Sequence, residues 1–445
     1  MRSVQLWFEH ALLPQGWARQ VRITIAKGRI AGIENGTPRT EADEAHAVGV
    51  PGLSNLHSHA FQRGMAGLAE TRGPSGDSFW TWREIMYRFV ERLGPEELEA
   101  IAAMAYAEML ESGFTRVGEF HYLHHDPAGA RYADPAEMAA RIAAAADETG
   151  IGLTLLPVFY AHSGFSGEAP KSAQRRFIHG LDGYAALLEA CRRAVAPLDD
   201  AVVGVAPHSL RAVTAQELAH VSAFPGPVHI HVAEQTKEVE DCVAWSGRRP
   251  VEWLLDNARV DARWCLVHAT HMTGSETAAL AKSGAVAGLC PITEANLGDG
   301  IFPAPAFVAA GGRFGIGSDS NVLIDAAEEL RLLEYGQRLV RHERNVFAAQ
   351  EGASTAGTLY RAALAGGAQA LGAGEAADFV SLDMEHPALA GREGDALLDG
   401  WIFAARGGAV DCVWRRGRKV VCRGCHRARD SIVERYRAAL GRILS

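Results

Sequence analysis

The amino-acid sequence predicts an α/β protein: a (β/α)8 TIM-like barrel with a small β-sandwich-like domain built from both termini. Two patterns predict this fold. Short apolar runs in the middle of the chain are each followed by a stretch of helical length, and hairpin patterns occupy both ends. The chain has 445 residues, of which 48% are hydrophobic and 22% are charged. This composition is typical of a globular protein and excludes a largely disordered chain.

The two ends of the chain carry the β-hairpin pattern. Near the N-terminus an alternating run turns at Lys27-Gly28 and returns, and a similar pattern recurs near the C-terminus. We therefore expect residues 1–49 plus 376–445 to form the small β domain and residues 50–375 to form the barrel. The segments with the strand pattern are Val21–Ala26, Arg29–Ile33, Asp378–Leu382, Val410–Trp414 and Lys419–Cys422.

The middle of the chain alternates between strand-length apolar runs and amphipathic stretches, which predicts parallel strands joined by helices. The predicted strands are Ala47–Leu56, Thr115–Phe120, Gly152–Phe159, Val202–Ala206, Val228–Val232, Trp264–Val267, Ala285–Leu289 and Arg313–Ile316. The predicted helices are Pro95–Met109, Pro135–Thr149, Asp182–Ala194, Thr214–Ser222, Pro250–Asn257, Ser275–Lys282 and Ala326–Leu339.

Charge and cysteine content narrow the function classes. The net charge of −9 excludes a general basic surface for nucleic acid or an anionic membrane. No apolar run approaches the roughly 18–20 residues of a membrane span, and the first ten residues lack the apolar core of a signal peptide. The seven scattered cysteines indicate reduced thiols. We expect a cytoplasmic protein that acts on a small molecule, with a homodimer as the default assembly.

Histidines and acids follow several of the predicted strands. In a (β/α)8 barrel, the active site lies at the C-terminal ends of the strands, so these side chains are expected to converge there. The first, fifth, sixth and eighth predicted strands end in or near His57, His59, His231, Glu234, His268 and Asp319.

The spacing of these residues indicates a metal site. Residues i and i+2 of a strand point to the same face, so His57 and His59 can hold one ion, with His231 and Asp319 as further ligands. Imidazoles plus one carboxylate, with one open position, suit catalytic Zn²⁺, although the ligand types also allow Fe²⁺ or Mn²⁺. His229 is in phase with His231 but one step deeper, so we expect it to pack or to support the site.

The same residues resemble the amidohydrolase superfamily. The resemblance rests on His57-x-His59, His231-x-x-Glu234, His268 and Gly317-Ser-Asp319, together with the β-rich termini. Many members with two metals carry a carboxylated lysine after the fourth strand, but the segment Val202–His208 contains no lysine. The resemblance therefore implies a mononuclear site, one metal per chain, with His57, His59, His231 and Asp319 as ligands.

A closer similarity, to the formimidoylglutamate deiminases, covers Leu56–Met65, Ser78–Glu84, Glu119–Asp126 and Pro207–Val213. It implies metal-dependent hydrolytic deimination of N-formimidoyl-L-glutamate to N-formyl-L-glutamate and ammonia in histidine degradation. It also implies that substrate is bound by Gln62, Arg83, Tyr122, His208, Arg211 and Ser320. Tyr122 could instead be a packing residue, and Ser320 could serve only to shape its loop. Arginine suits such a substrate, because its guanidinium offers bidentate, permanently charged donors to carboxylates.

The implied mechanism assigns three catalytic residues. Metal-bound hydroxide is expected to attack the formimidoyl carbon, with His268 and Asp319 orienting the water and one of them taking its proton. Glu234 is expected to protonate the leaving nitrogen. Two alternatives stay open: a mononuclear amidohydrolase that deaminates or dechlorinates a heterocycle such as a purine or triazine, and a barrel that only binds or scaffolds.

Overall fold

The computed structural model describes residues 3–73, 76–348, 350–374 and 376–445, and its strands form two separate large sheets. The strands are β1 (Val4–Leu13), β2 (Gly16–Ala26), β3 (Arg29–Glu34), β4 (Glu44–Pro51), β5 (Leu53–Ser58), β6 (Phe114–His121), β7 (Gly152–Phe159), β8 (Val202–Val203), β9 (Ala206–Pro207), β10 (Val228–Val232), β11 (Trp264–His268), β12 (Val286–Leu289), β13 (Arg313–Ile316), β14 (Phe379–Leu382), β15 (Val410–Arg415), β16 (Arg418–Cys422) and β17 (Cys425–His426).

Helices pack around the sheet formed by the middle of the chain, and others lie outside it. They are α1 (Phe79–Val90), α2 (Pro95–Ser112), α3 (Glu137–Thr149), α4 (Leu181–Val195), α5 (Ala215–Ser222), α6 (Thr236–Ser246), α7 (Pro250–Asn257), α8 (Gly274–Ser283), α9 (Pro291–Leu297), α10 (Ala304–Ala309), α11 (Ala326–Arg341), α12 (Thr355–Leu371), α13 (Asp395–Asp399) and α14 (Arg429–Leu444). No helix in the described ranges is long and apolar enough to cross a membrane.

The middle of the chain forms the predicted barrel. Its strands pair in parallel in the order β10-β11-β12-β13-β5-β6-β7-β8. The ring closes through β9, which pairs with β7, and through parallel bridges from Val205 to Val228 and from Ser209 to His231. The predicted TIM-like fold is therefore confirmed, and the C-terminal ends of its strands meet at one mouth.

Two of the predicted strands are interrupted. The run Ala47–Leu56 belongs to both sheets, because the chain leaves β4 at Pro51 and enters the barrel as β5 at Leu53. The predicted fourth strand is divided into β8 and β9, with Gly204 between them. Pro207 lacks a backbone N–H for the ladder, which is one reason why this part of the barrel is held by isolated bridges.

The terminal segments form one mixed sheet in the order β17-β16-β15-β14-β4-β1-β2-β3. The sheet bends on itself, because the ring of Phe8 in β1 lies 6.2 Å from that of Trp414 in β15, three strands away. This bend gives the sandwich-like character. The C-terminal segment also contains α14, which packs on the barrel helix α2; Arg442 there lies 2.7 Å from Glu97. The proposed domain boundaries stay a prediction.

The lower end of the barrel is closed by α12. Ala370 and Leu371, at the C-terminal end of this helix, are packed with Leu56, Cys265 and Val267 inside the ring of strands. The close contact between α12 and β13 requires glycine at position 366, because a methyl group there would overlap the carbonyl oxygen of Phe314. His229 Nε2 lies 2.8 Å from the carbonyl oxygen of Ala370. Since a carbonyl can only accept, Nε2 is the donor, which gives His229 the packing role expected from its depth.

Candidate active site

Three histidines and one aspartate converge at the mouth of the barrel. His57 and His59 lie at the end of β5, His231 lies in β10, and Asp319 follows β13. His57 Nε2 lies 3.0 Å from His231 Nε2 and 3.4 Å from Asp319 Oδ1, and His59 Nε2 lies 3.3 Å from the same oxygen. A tetrahedral ion with ligand bonds of about 2.0–2.1 Å has ligand atoms about 3.3 Å apart. The four residues therefore fit a single divalent cation.

Backbone carbonyls fix two of these imidazoles. His59 Nδ1 donates to Phe120 O at 2.9 Å, and His231 Nδ1 donates to the carbonyl of His208 at 3.1 Å. Donation from Nδ1 leaves the Nε2 lone pair free to face an ion. Burial lowers the pKa of His57 to about 3 and also lowers the pKa of His59 and His231. The rings are thus neutral, which is the form that binds metal.

A buried polar network holds Asp319 against β5. Asn55 Oδ1 accepts from Ser318 N at 3.0 Å, and Asn55 Nδ2 donates to Ser318 Oγ at 2.6 Å. Asn321 Nδ2 donates to Ser58 Oγ at 3.1 Å and to the carbonyl of His59 at 3.0 Å. Asp319 itself has a φ of +45°, a strained conformation for a residue with a side chain. This hydrogen-bond network thus fixes Asp319 beside the histidines. The sequence analysis identified Asp319 but not the residues that hold it.

Glu234 and His268 lie next to this cluster. His268 Nε2 is 3.7 Å from Asp319 Oδ2 and 3.9 Å from Glu234 Oε1, and its Nδ1 is 3.3 Å from Glu294 Oε1. Burial alone would lower the pKa of His268, but the carboxylates of Glu234 and Glu294 raise it to about 10. Burial raises the pKa of Glu234 to about 7. Such a carboxyl group can both give and take a proton near neutrality.

The charge of Asp319 is retained despite its burial. Burial opposes ionisation, but a hydrogen bond with His57 and the nearby imidazoles hold the pKa of Asp319 below its usual range. His268, Cys290 and Asp319 also bring possible ligand atoms together. Burial raises the pKa of the Cys290 thiol well above its usual value, however, so this thiol is protonated and is a poor ligand.

A cavity opens beside the cluster at the mouth of the barrel. Five residues already described line it: His59, His231, Glu234, His268 and Asp319. All the predicted substrate residues line it as well: Gln62, Arg83, Tyr122, His208, Arg211 and Ser320. Residues from α1 cover one side. The sequence analysis predicted no helix there, although Ser78 is an N-cap whose Oγ accepts from Trp80 N at 3.3 Å.

The guanidinium groups of Arg83 and Arg211 both lie near the ring of Trp80. The Cζ atom of Arg83 lies 4.6 Å from the ring centroid of Trp80, and that of Arg211 lies 5.5 Å from it. Neither arginine forms an ion pair with an acid in the described part of the chain. Two unpaired guanidinium groups at one cavity wall are able to bind carboxylate groups. Trp80 was not identified from sequence, although it lies within the same aromatic segment as Arg83.

The remaining predicted residues are held by neutral hydrogen bonds. Gln62 Nε2 donates to Tyr122 Oη at 2.8 Å, which leaves the buried Gln62 Oε1 without a protein partner. Ser320 Oγ lies 2.9 Å from Thr293 Oγ1, a lining residue that the sequence analysis missed. Tyr122 and Ser320 thus line the cavity and also have structural contacts. The unpartnered amide oxygen is available to a donor on a ligand.

Comparisons with known proteins identify the family of the chain. Residues 48–420 match the amidohydrolase family, and residues 6–47 match the N-terminal domain of formimidoylglutamate deiminase HutF. A formimidoylglutamate deiminase from Pseudomonas aeruginosa is 54% identical over 455 aligned positions, which cover 99% of each chain.

Solved structures share the fold. An amidohydrolase from Brucella melitensis superposes with a TM-score of 0.96 at 59% identity, over 99% of this chain and 100% of that one. A zinc-bound adenosine deaminase from Xanthomonas campestris has a TM-score of 0.79 at 22% identity, over 99% of this chain and 98% of that one, and shows the common fold. The chain therefore belongs to the amidohydrolase family, within the branch of the formimidoylglutamate deiminases.

Proposed function

We propose that this protein hydrolyses N-formimidoyl-L-glutamate to N-formyl-L-glutamate and ammonia, as a step of histidine degradation. The observation that carries the proposal is the pair of unpaired guanidiniums, Arg83 and Arg211, beside the metal-ligand cluster. The substrate has two carboxylates and an amidine-like centre, so the arginines would hold its glutamate portion while the formimidoyl carbon faces the cluster. The similarity to the Pseudomonas aeruginosa enzyme supports the same substrate.

Zn²⁺ is the proposed cation, one per chain, held by His57, His59, His231 and Asp319; Fe²⁺ and Mn²⁺ suit the same ligands. When bound, the cation lowers the pKa of a water molecule and polarises the substrate. The neutral imidazoles and the ionised carboxylate already have the protonation states that a ligand needs.

The chain's own groups carry the proton transfers. Water adds to the formimidoyl carbon, oriented by His268 and Asp319, which lie 3.7 Å apart. Asp319 takes its proton, because the raised pKa of His268 keeps that ring protonated and leaves it only to orient the water. Glu234 donates a proton to the imino nitrogen, which becomes an amino group. The proton taken by Asp319 then passes to this nitrogen, and Glu234 recovers a proton from the added hydroxyl as the C=O bond forms, so that the C–N bond breaks and ammonia leaves. A pKa of about 7 allows Glu234 to be protonated for that step and to recover its proton afterwards.

The substrate residues would act by binding and orientation. Arg83 and Arg211 hold carboxylates through paired N–H donors, which fixes the reacting carbon and contributes proximity. Gln62, Tyr122, His208 and Ser320 line the rest of the wall and offer neutral hydrogen-bonding groups. The proposal extends to a homodimer in the cytoplasm and to a chain divided into the terminal β domain and the barrel.

Ammonia release tests the proposal. The purified protein, loaded with Zn²⁺, is assayed with N-formimidoyl-L-glutamate and with a panel of purines, triazines and other amidines. We expect turnover of N-formimidoyl-L-glutamate and little release from neutral heterocycles, because these offer no carboxylate to the arginines. Turnover of a purine without turnover of N-formimidoyl-L-glutamate would favour a heterocycle deaminase. No turnover at full metal loading would favour a binding protein.

A further inference from the structure

The start of α6 differs from the starts of two neighbouring barrel helices. In α5 and α8, a threonine N-cap and a glutamate three positions later form a reciprocal capping box: Thr214 with Glu217, and Thr273 with Glu276. In α6 the corresponding acid is Glu238, but its N-cap residue makes no side-chain cap. The carboxylate of Glu238 is therefore free for another use.

Glu238 binds the loop that carries the proposed proton donor. Its Oε1 accepts from Ala233 N at 3.2 Å, and its Oε2 accepts from Glu234 N at 3.1 Å. Ala233 has a φ of +52°, a left-handed conformation that a residue with a side chain adopts at a cost. His271 N donates to Ala233 O at 3.0 Å from the other side. The backbone from which the Glu234 side chain projects is thus held at several points.

The burial of Glu238 argues against a role in capping alone. Glu238 is fully buried, and it forms no ion pair with a lysine, arginine or histidine among the described residues. A buried carboxylate without a contacting cation is costly. A glutamine in the same position would place its NH2 group, a donor, against one of these two backbone N–H donors and would lose that hydrogen bond. The charge also faces Arg211 at longer range, where it helps to raise the pKa of that guanidinium against the effect of burial.

We propose that Glu238 is a positioning residue, which fixes the backbone at Ala233 and Glu234 so that the Glu234 carboxyl reaches the leaving nitrogen. This inference rests on the proposed function, because it takes Glu234 as the proton donor. Glu238 does not line the cavity and acts only through Glu234.

A double-mutant cycle of Glu234→Gln and Glu238→Gln tests the proposal. We expect Glu238→Gln to lower kcat by about 10-fold or more, since a displacement of about 1 Å can cost that much. KM should not rise, because both arginines are retained. If Glu238 acts through Glu234, the double variant should be no slower than Glu234→Gln alone. If the fold-losses in kcat of the two single variants multiply in the double variant, the proposal is overturned.

Glu276→Gln and Glu217→Gln are the matched controls. Both acids occupy the same position at the start of a barrel helix, and both accept hydrogen bonds from their N-cap threonine. They should leave kcat close to that of the wild type. A loss in kcat for Glu276→Gln equal to that for Glu238→Gln would mean that any disturbed helix start has this effect, and the proposal would fail.

Bound metal and the thermal midpoint are measured for every variant. Glu238→Gln should retain the metal content of the wild type, because no proposed ligand is altered. If this variant does not fold, Glu238→Asp, which keeps the charge but shortens the reach, takes its place in the cycle. Failure of the wild type to release ammonia from N-formimidoyl-L-glutamate would contradict the proposed function. An active wild type with an unchanged kcat for Glu238→Gln would contradict only this inference.

Discussion

His57 Nε2 and His231 Nε2 lie 3.0 Å apart and reach the same point from β5 and β10. Two neutral imidazoles can share only one proton at this separation, while Asp319 Oδ1 lies 3.4 Å from one of them. A cation at this point would satisfy all the facing lone pairs. The arrangement therefore couples the stability of the barrel mouth to metal binding.

Metal removal should consequently lower both activity and stability. We expect dialysis against a chelator to abolish ammonia release and to lower the thermal midpoint, and Zn²⁺ to restore both. His231→Ala should lose bound metal, whereas His220→Ala on the exposed surface of α5 should retain it. Metal analysis of the purified proteins measures this directly. Full activity of metal-free protein would contradict the assignment.

Replacing either Arg83 or Arg211 should weaken substrate binding. We expect Arg83→Met and Arg211→Met each to lower kcat/KM for N-formimidoyl-L-glutamate by about 100-fold, because a charge-assisted carboxylate contact is lost. Arg88→Met, on the same helix as Arg83 but exposed, is the control. N-formimidoylglycine lacks the side-chain carboxylate. In one of the two variants, its kcat/KM should therefore fall by a smaller factor than that of N-formimidoyl-L-glutamate. That variant identifies the arginine that binds the side-chain carboxylate; equal losses would contradict separate roles.

The network beneath Asp319 should control metal affinity. Asn55→Leu removes both hydrogen bonds to Ser318 at nearly constant volume, and we expect metal affinity to fall by about 10–100-fold. Equilibrium dialysis with Zn²⁺ measures the change. Asn257→Leu, at an exposed position in α7, is the control and should bind metal like the wild type. Unchanged affinity in Asn55→Leu would show that Asp319 needs no such support.

Glu119 should make stability fall as the pH rises. Burial raises its pKa to about 8, although Ala60 N and Tyr106 Oη donate to its carboxyl oxygens at 2.8 and 3.1 Å. In the unfolded chain its pKa is near 4.5, so the folded state binds an extra proton between these values. The resulting stability is complete below pH 4.5 and is lost as the pH rises through about 8.

Calorimetry at a fixed scan rate between pH 5 and about pH 9 tests this prediction. The thermal midpoint of the wild type should fall with pH more steeply than that of Glu119→Gln, which cannot ionise. Glu108→Gln, a half-buried variant on α2, should follow the wild-type curve. Parallel curves for wild type and Glu119→Gln would mean that Glu119 is ionised in the folded protein.

The barrel and its metal cluster were accessible to sequence reasoning because both follow from short-range periodicity. The spacing of His57 and His59 places both rings on one face of a strand, and parallel strands bring His231 and Asp319 to the same edge. The predicted strand Ala47–Leu56 was only partly right, because Gly52 divides it into two strands that belong to different sheets.

The supporting residues could not be found in this way. Asn55 and Ser318 are 263 positions apart, and only the closure between β13 and β5 brings their polar atoms into contact. The role of Trp80 depends on how α1 folds over the mouth and meets Arg211. Glu238 looks like an ordinary helix-start acid until its partners are known. Each of these residues depends on tertiary contacts that leave no periodic signal.

The closed lower end of the barrel has a consequence for turnover. Because Ala370 and Leu371 fill the interior below the ligands, the described residues leave no passage through that end of the barrel. Substrate and products would therefore pass through the mouth, where α1 and Arg83 border the cavity. The larger product would have to leave by this mouth before the next substrate binds, so its dissociation from Arg83 on α1 would set an upper limit on the turnover rate.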